Sequence, residues 1–298
     1  MSLPLTILGG YLGAGKTTLI NRLLSGEHGK RLTILVNDFG AINIDADLIA
    51  EHAGDTISLA NGCACCQLQD DALKQLQELA AMPDPPDHIL VEASGAGEPA
   101  RLAYLGYGIK GLHLAGVYVA IAADTLAARR KDKFTGKLVQ RQIAQADFCL
   151  ITKTDLTVDN GAAARALLKD MTDAPIAAPN DAVITDILNE ADLVAPKPKG
   201  HRRKAAQDAP FNADDMFDSF AYMGDAPVDM DALKTLLETL PLIRAKGHSG
   251  THRLQAVEGR YTLIEAETRN PALVFIAQKG TVDWGEVEKR LRPAKLSA

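Results

Sequence analysis

Leu5-Thr6-Ile7-Leu8-Gly9-Gly10-Tyr11-Leu12-Gly13-Ala14-Gly15-Lys16-Thr17-Thr18 decides the reading of this chain. An apolar run of strand length feeds a glycine-rich turn, and the turn opens a helix. From Gly10 to Thr17 the residues fit G-x-x-x-x-G-K-[ST], the phosphate-binding loop. Gly10, Gly13 and Gly15 let the backbone close around Ala14 into a concave nest, whose N–H groups converge on phosphate oxygens. The positive end of the following helix, at Lys16, Thr17 and Thr18, adds to that field. Lys16 supplies a point charge for the β- and γ-phosphates, and the Thr17 hydroxyl is a ligand for Mg²⁺. The rival reading, a glycine-rich turn carrying Lys-Thr by chance, leaves the strand before it and the helix after it unexplained.

Two further strand ends carry acids. Leu32–Val36 ends in Asn37-Asp38-Phe39-Gly40, followed by Ala41-Ile42-Asn43-Ile44-Asp45. In a phosphate-loop NTPase this region holds the segment that senses the γ-phosphate. Asp38 and Asp45 are therefore candidates for contact with Mg²⁺ or its waters, against the plainer reading of a polar loop. His88–Glu92 reads as a strand ending in Glu92-Ala93-Ser94-Gly95. An acid at that place suits the orientation of a Mg²⁺ shell, and the Gly95 N–H is a candidate donor to the γ-phosphate. A solvated strand end is the alternative for Glu92. The catalytic set expected is thus Lys16, Glu92 and Asp45.

Phe148-Cys149-Leu150-Ile151 leads into Thr152-Lys153-Thr154-Asp155. This resembles the guanine-specifying Asn-Lys-x-Asp motif of GTPases, with Thr in place of Asn. Asp155 can accept from guanine N1–H and the exocyclic amine, groups that adenine does not present. The Lys153 stem can lie across the base. A tetrapeptide is weak alone, but it gains weight at the end of a late strand of a phosphate-loop domain. Cys149 reads as core.

Asn61-Gly62-Cys63-Ala64-Cys65-Cys66 crowds three of the four cysteines into four positions. If the backbone turns there, three thiolates fill three of the four tetrahedral positions that Zn²⁺ prefers. Soft sulfur selects Zn²⁺, Cu⁺ or similar ions over Mg²⁺. The same residues also read as a C-x-x-C redox pair or as buried small hydrophobes.

The 298 residues suit one large domain or two ordinary ones, and 47% hydrophobic with 23% charged residues is an ordinary globular balance. The net charge of −6 argues against a broad nucleic-acid or anionic-membrane surface. No apolar run approaches the roughly 20 residues that span a bilayer. No leader is expected, nor a secreted disulfide framework, so the cytoplasm is the expected compartment.

Strand–helix alternation extends to about Asn189 and predicts a doubly wound, mostly parallel α/β sheet. A basic, Pro-containing run from Pro196 to Lys204 reads as a linker. Beyond it the pattern predicts strands at Asp218–Tyr222, Leu242–Ala245, Leu254–Glu258, Tyr261–Ala266 and Ala272–Ala277. Helices are expected at Met230–Leu240 and Trp284–Leu291, giving a smaller α+β domain. The expected division is 1–195, a linker over 196–213, and 214–298.

Taken in order, Gly10–Thr17, Asn37–Gly40, Gly62–Cys66, Glu92–Gly95 and Thr152–Asp155 resemble the CobW-like proteins, a family of phosphate-loop GTPases that act as metallochaperones. Arg244-Ala245-Lys246-Gly247 and the later strands resemble that family's C-terminal domain. The resemblance implies GTP/GDP and Mg²⁺ at the loop and Zn²⁺ or Co²⁺ at Cys63, Cys65 and Cys66. It further implies GTP hydrolysis coupled to metal delivery to a client metalloprotein. A nucleotide-gated metal sensor without appreciable turnover is the alternative. The family commonly has Glu and a following acid where this chain has Asp38 and Ala41, a departure at the place of an auxiliary carboxylate ligand. His201 stands where many members have a His-rich linker, so metal storage is not implied.

Asp155→Asn is expected to move base preference from guanosine toward xanthosine nucleotides, whose C2 oxygen accepts where guanine donates. A competition assay with GTP, XTP and ATP measures it. Equal affinity of the parent chain for ATP and GTP would remove the guanine reading.

Overall fold

The computed structural model describes residues 2–26, 28–36, 56–58, 65–180, 183, 186–188, 216–257 and 259–292, with backbone alone at 56–58, 65–71 and 105–107. Asp38, Asp45, Cys63 and the linker lie outside these residues. The described chain forms two compact units, one of residues up to 188 and one of residues from 216 on.

In chain order the first unit contains β1 (Leu3–Gly9), α1 (Lys16–Ser25), β2 (Leu32–Val36), β3 (Thr56–Ser58), α2 (Cys65–Ala80) and β4 (His88–Glu92). These are followed by α3 (Pro99–Gly108), β5 (Leu112–Ala122), α4 (Leu126–Lys131), α5 (Gly136–Ala144), β6 (Phe148–Thr152), α6 (Ala162–Lys169) and β7 (Ile176–Ala177). The strands make one sheet in the order β3-β2-β4-β1-β5-β6-β7, and every pair is parallel. This is the doubly wound α/β architecture that the sequence predicts. Every residue of β1, β2, β4 and β6 is buried. A parallel sheet covered on both faces requires such continuous apolar runs, because neither face meets water. The chain winds outward to β3 on one side of β1 and to β7 on the other, which places a crevice at the C-terminal strand ends.

Helix α1 buries Leu19, Ile20 and Leu23 in the sheet core. Each contributes about 2 kcal/mol of apolar burial. The apolar spacing predicts a helix from Asp70 to Met82, whereas α2 runs from Cys65 to Ala80. Leu68, Ala72, Leu76 and Leu79 continue one helical period upstream, and the two cysteines open its first turn. Of that stripe Ala72, Leu76 and Leu79 are buried.

The second unit is a three-stranded antiparallel sheet in the order β8-β10-β9, with β8 (Phe217–Met223), β9 (Leu242–Val257) and β10 (Arg260–Gln278). Helices α7 (Met230–Thr239) and α8 (Trp284–Leu291) share its core through Leu233, Leu236, Leu237, Phe275, Val287 and Leu291. Asp229 and Asp283 cap them, each accepting from two backbone N–H groups of the first turn. Four short strands were expected where two long ones stand. The stretches around Gly247–Gly250 and Glu265–Ala272 look like turns in sequence, yet they are irregularities inside continuous strands. Strand β10 pairs with β8 only from Ala272 onward, so the outer part of the β9–β10 hairpin runs on as a two-stranded ribbon.

Gly247 sits in that irregular stretch at φ 143°, and a Cβ there would lie 2.0 Å from the Ala272 carbonyl oxygen. Gly247→Ala is therefore expected to destabilise the second unit by about 3 kcal/mol, as backbone overpacking does. Urea denaturation followed by Trp284 fluorescence measures it. An unchanged midpoint would mean that the strand relaxes without cost.

Candidate functional site

Strand β1 ends at Gly9, and the chain folds back over its own end. Gly10 has φ 133°, and a Cβ on it would lie 2.4 Å from the Ala120 carbonyl oxygen on β5. Only glycine fits. Gly13 and Gly15 take left-handed φ values of 76° and 88°, and the Ala14 N–H donates to the Tyr11 carbonyl at 3.0 Å. Helix α1 then opens at Lys16.

The Lys16 ammonium reaches back across the loop. Its Nζ donates to the Gly10 carbonyl at 3.0 Å and stands 3.9 Å from Glu92 Oε1. Both side chains are only 3% exposed. A separation of 3.9 Å is an ion pair without a direct hydrogen bond. Taking two opposite charges out of water is costly, so their meeting at a strand-end crevice marks a site more than a source of stability. Thr17 is buried in the same first turn, while Thr18 is exposed. The Thr17 hydroxyl and the Glu92 carboxylate are hard oxygen donors, the chemistry that Mg²⁺ takes.

Glu92 is level with Leu8 of β1 and Val36 of β2. The Ala93 N–H donates to the Leu8 carbonyl at 2.9 Å, and the chain then turns. The Gly97 N–H closes that turn on the Ser94 carbonyl at 2.9 Å. Gly95 packs so closely on the phosphate loop that a Cβ would meet the Leu12 nitrogen at 2.8 Å. Any side chain at this position would push the two loops apart.

Thr152 ends β6 with its hydroxyl 2.8 Å from the Ala14 carbonyl and 3.2 Å from that of Ile121. Its single proton suits the shorter bond, which ties the end of β6 to the phosphate loop. The sequence reading assigned no such role to this threonine. Its signal is a hydroxyl at the end of an otherwise apolar strand. Lys153 then takes a left-handed φ of 53° and starts the 3-10 turn Thr154–Leu156, on which Asp155 is exposed.

Two more contacts on the loop escaped the sequence reading. The Arg129 guanidinium of α4 lies 4.9 Å from the centre of the Tyr11 ring, a cation–π contact. Gln142, on the buried face of α5, hydrogen-bonds the loop that carries Gly95. A glutamine beside Leu138 and Ile143 in an apolar stripe was the available signal.

Gly10, Gly13, Ala14, Gly15, Lys16, Thr17, Glu92 and Gly95 thus converge, with Lys153 and Asp155 following the Thr152 tie. Cys65 and Cys66 are the first two residues of α2. Among the described residues no group of three or more His, Cys, Asp or Glu side chains could hold a metal. Cys149 lies fully buried in β6, as expected of a core residue. Among the described residues no helix is long and apolar enough to cross a membrane.

Residues 4–180 match the model of the CobW/HypB/UreG nucleotide-binding domain. The chain belongs to this family. A zinc chaperone CobW of Sinorhizobium sp is 30% identical over 287 residues, covering 82% of this chain and 80% of that protein. The zinc chaperone YjiA of Escherichia coli (strain K12) is 28% identical over 268 residues, covering 82% and 81%. A zinc-regulated GTPase metalloprotein activator of Schizosaccharomyces pombe is 32% identical over 163 residues, covering 51% of this chain and 39% of its own length. The stretch matched to the CobW/HypB/UreG domain spans the phosphate loop, the Glu92 strand end and the Thr152–Asp155 motif.

Burial pushes the Tyr11 hydroxyl up to about 12, with the nearby Arg129 charge opposing the shift. An unfolded tyrosine loses its proton near 10, so the unfolded state gains between pH 10 and 12, and stability falls as pH rises through that window. The loss approaches about 2 kcal/mol at its upper end. Tyr11→Phe is expected to remove this component. Chemical denaturation of both chains from pH 9 to 12 checks it, and parallel stability curves would refute it.

Proposed function

We propose that this chain binds and hydrolyses GTP with Mg²⁺, and couples its nucleotide state to the binding and hand-over of Zn²⁺ or Co²⁺ to a client metalloprotein. The observation that carries the reading is the convergence of a buried Lys16, Glu92 and Gly95 on one glycine-shaped loop, in a chain of the CobW/HypB/UreG family. The proposed division of labour follows chain order, with residues 1–195 as the GTPase domain, 196–213 as linker and 214–298 as a CobW C-terminal-like domain.

In this reading Gly10, Gly13, Ala14, Gly15, Thr17 and Thr18 hold the phosphates through backbone N–H groups and hydroxyls. Lys16 neutralises charge that develops on the transferring phosphoryl group. Thr17 and Glu92 hold or orient Mg²⁺ and its waters, with Asp45 as a further carboxylate, and Gly95 donates its N–H to the γ-phosphate. Asp155 reads guanine and Lys153 covers it. Mg²⁺ held at Thr17 and Glu92 would neutralise negative charge on the phosphates.

Cys63, Cys65 and Cys66 are the proposed transition-metal ligands, and the metal is cargo. Two of them open α2, and thiolate sulfur favours soft metals. Zinc is supported by relatives named zinc chaperones. The cysteines lie between the phosphate loop and Glu92, in the stretch where γ-phosphate contacts order a segment. Metal and GTP are therefore expected to bind with positive coupling of about 1–3 kcal/mol, the same in both directions by linkage. Hydrolysis then loosens the metal site and gives transfer its direction.

Zn²⁺ titrations with a non-hydrolysable GTP analogue and with GDP test the coupling, repeated in the combined Cys63→Ser, Cys65→Ser and Cys66→Ser variant. The expected result is tighter metal binding in the GTP-like state, about 5- to 150-fold, and its loss in the variant. Equal affinities in both states would remove the coupling. Tight binding retained by the variant would place the metal elsewhere. An apo-client that gains activity only with GTP and metal together would distinguish delivery from sensing.

A further inference from the structure

The turn Ser94–Gly97 is held from two sides. On one side Gly95 abuts Leu12 of the phosphate loop, with no room for a Cβ. On the other, the Nε2 of Gln142 donates to the Gly95 carbonyl at 3.2 Å and to the Gly97 carbonyl at 2.7 Å. Both facing atoms are carbonyl oxygens, so chemistry alone orients this amide with nitrogen toward the turn. Gln142 is 1% exposed, and Leu138, Val139 and Ile143 around it on α5 are buried as well.

Neighbouring contacts extend the clamp. Gln145, just past α5, accepts from the Ala100 N–H at 3.1 Å, and Arg141 Nε pairs with Glu98 Oε1 at 2.8 Å. The Ala96 N–H turns inward to Ser94 Oγ at 3.3 Å. Arg141, Gln142 and Gln145, on α5 and just past its end, therefore hold the segment from Gly95 to Ala100. Gln142 holds the turn itself, through the Gly95 and Gly97 carbonyls.

We propose that Gln142 is a positioning residue for γ-phosphate recognition, holding Gly95 by its carbonyl, and with it the adjoining Ser94–Gly95 peptide, against the phosphate loop so that the Gly95 N–H stands ready for a triphosphate. The proposal rests on the reading of Gly95 as the γ-phosphate donor. Gln142 touches neither nucleotide nor metal in this assignment, and its effect passes through the turn. A diphosphate makes no use of that N–H. The consequence is specific: loss of the clamp weakens discrimination of GTP from GDP and slows turnover, while GDP binding through the loop and base motif is spared.

Gln142→Glu is the decisive variant, since it keeps size and replaces the donor nitrogen with an oxygen that faces two carbonyls. Gln142→Leu removes the donor without adding charge and serves should the first variant fail to fold. Full-length parent and variants are compared by the affinities of fluorescent GDP and of a fluorescent non-hydrolysable GTP analogue, by steady-state GTP hydrolysis, and by amide hydrogen exchange over residues 93–99. Losing two net hydrogen bonds is expected to lower the GTP-analogue to GDP affinity ratio and kcat by about tenfold or more, with GDP affinity within about twofold. Faster exchange over 93–99 and partial recovery of Gln142→Glu at acidic pH, where its carboxyl regains a proton to donate, are also expected.

An unchanged affinity ratio and kcat in both variants would overturn the role of Gln142 while leaving that of Gly95 intact. Loss of GDP and GTP-analogue affinity by the same factor would overturn it too, as that is the mark of a merely structural residue. A parent chain that binds both nucleotides equally and hydrolyses neither would overturn the Gly95 reading and this proposal together.

Discussion

A buried ammonium sets the terms for the first unit. Lys16, at 3% exposure, has surrendered its water, and desolvating one such ion costs several kcal/mol. The Gly10 carbonyl and the Glu92 carboxylate offset that cost, and both must be delivered by the fold. Glu92 arrives because β4 lies next to β1 with Glu92 level with Leu8. The Gly10 carbonyl arrives because the loop turns where the Ala120 carbonyl leaves no space for a side chain. Strand order, loop shape and the first helical turn are thus parts of one solution. The wholly apolar strands beneath provide the low-dielectric floor on which a single charge acts strongly.

The phosphate loop is also the hub to which the other loops are tied. Thr152 fastens the end of β6 to it through Ala14, Gly95 rests on it at Leu12, and Arg129 covers it at Tyr11. Each tie is a single contact of a different kind: a hydroxyl bond, a backbone approach and a cation over a ring. None can substitute for another. A shift of the loop is therefore felt at once by the segments that would read base and γ-phosphate.

Much of this was legible in the chain because its signals are local. Buried parallel strands are continuous apolar runs, so β1, β2, β4 and β6 could be read within two residues at each end. The phosphate loop and the Glu92 strand end could be read because their chemistry depends on short spacing. Thr152 and Gln142 could not, since their partners lie 138 and 47 or 45 positions away and no local pattern encodes such a meeting. The second unit misled in another way. A bulge and a turn use the same glycines and polar residues, and only cross-strand register separates them, so two long strands read as four short ones. In α2 the cysteine run hid a helical period that the leucines and alanine already carried.

The long β9–β10 ribbon brings one more consequence. Among the described residues, β10 has no strand on its far side before Ala272, which leaves an open row of backbone donors and acceptors. Such rows invite strand addition from neighbouring molecules and seed aggregation. Along this stretch the exposed residues include Glu265 and Glu267, with Arg269 half-buried and Pro271 ending the open part. Charge repels a second copy of the same edge, and a proline offers no N–H to it. The polar tract between two expected strands thus sets charge and a missing donor along a row that would otherwise template a neighbour.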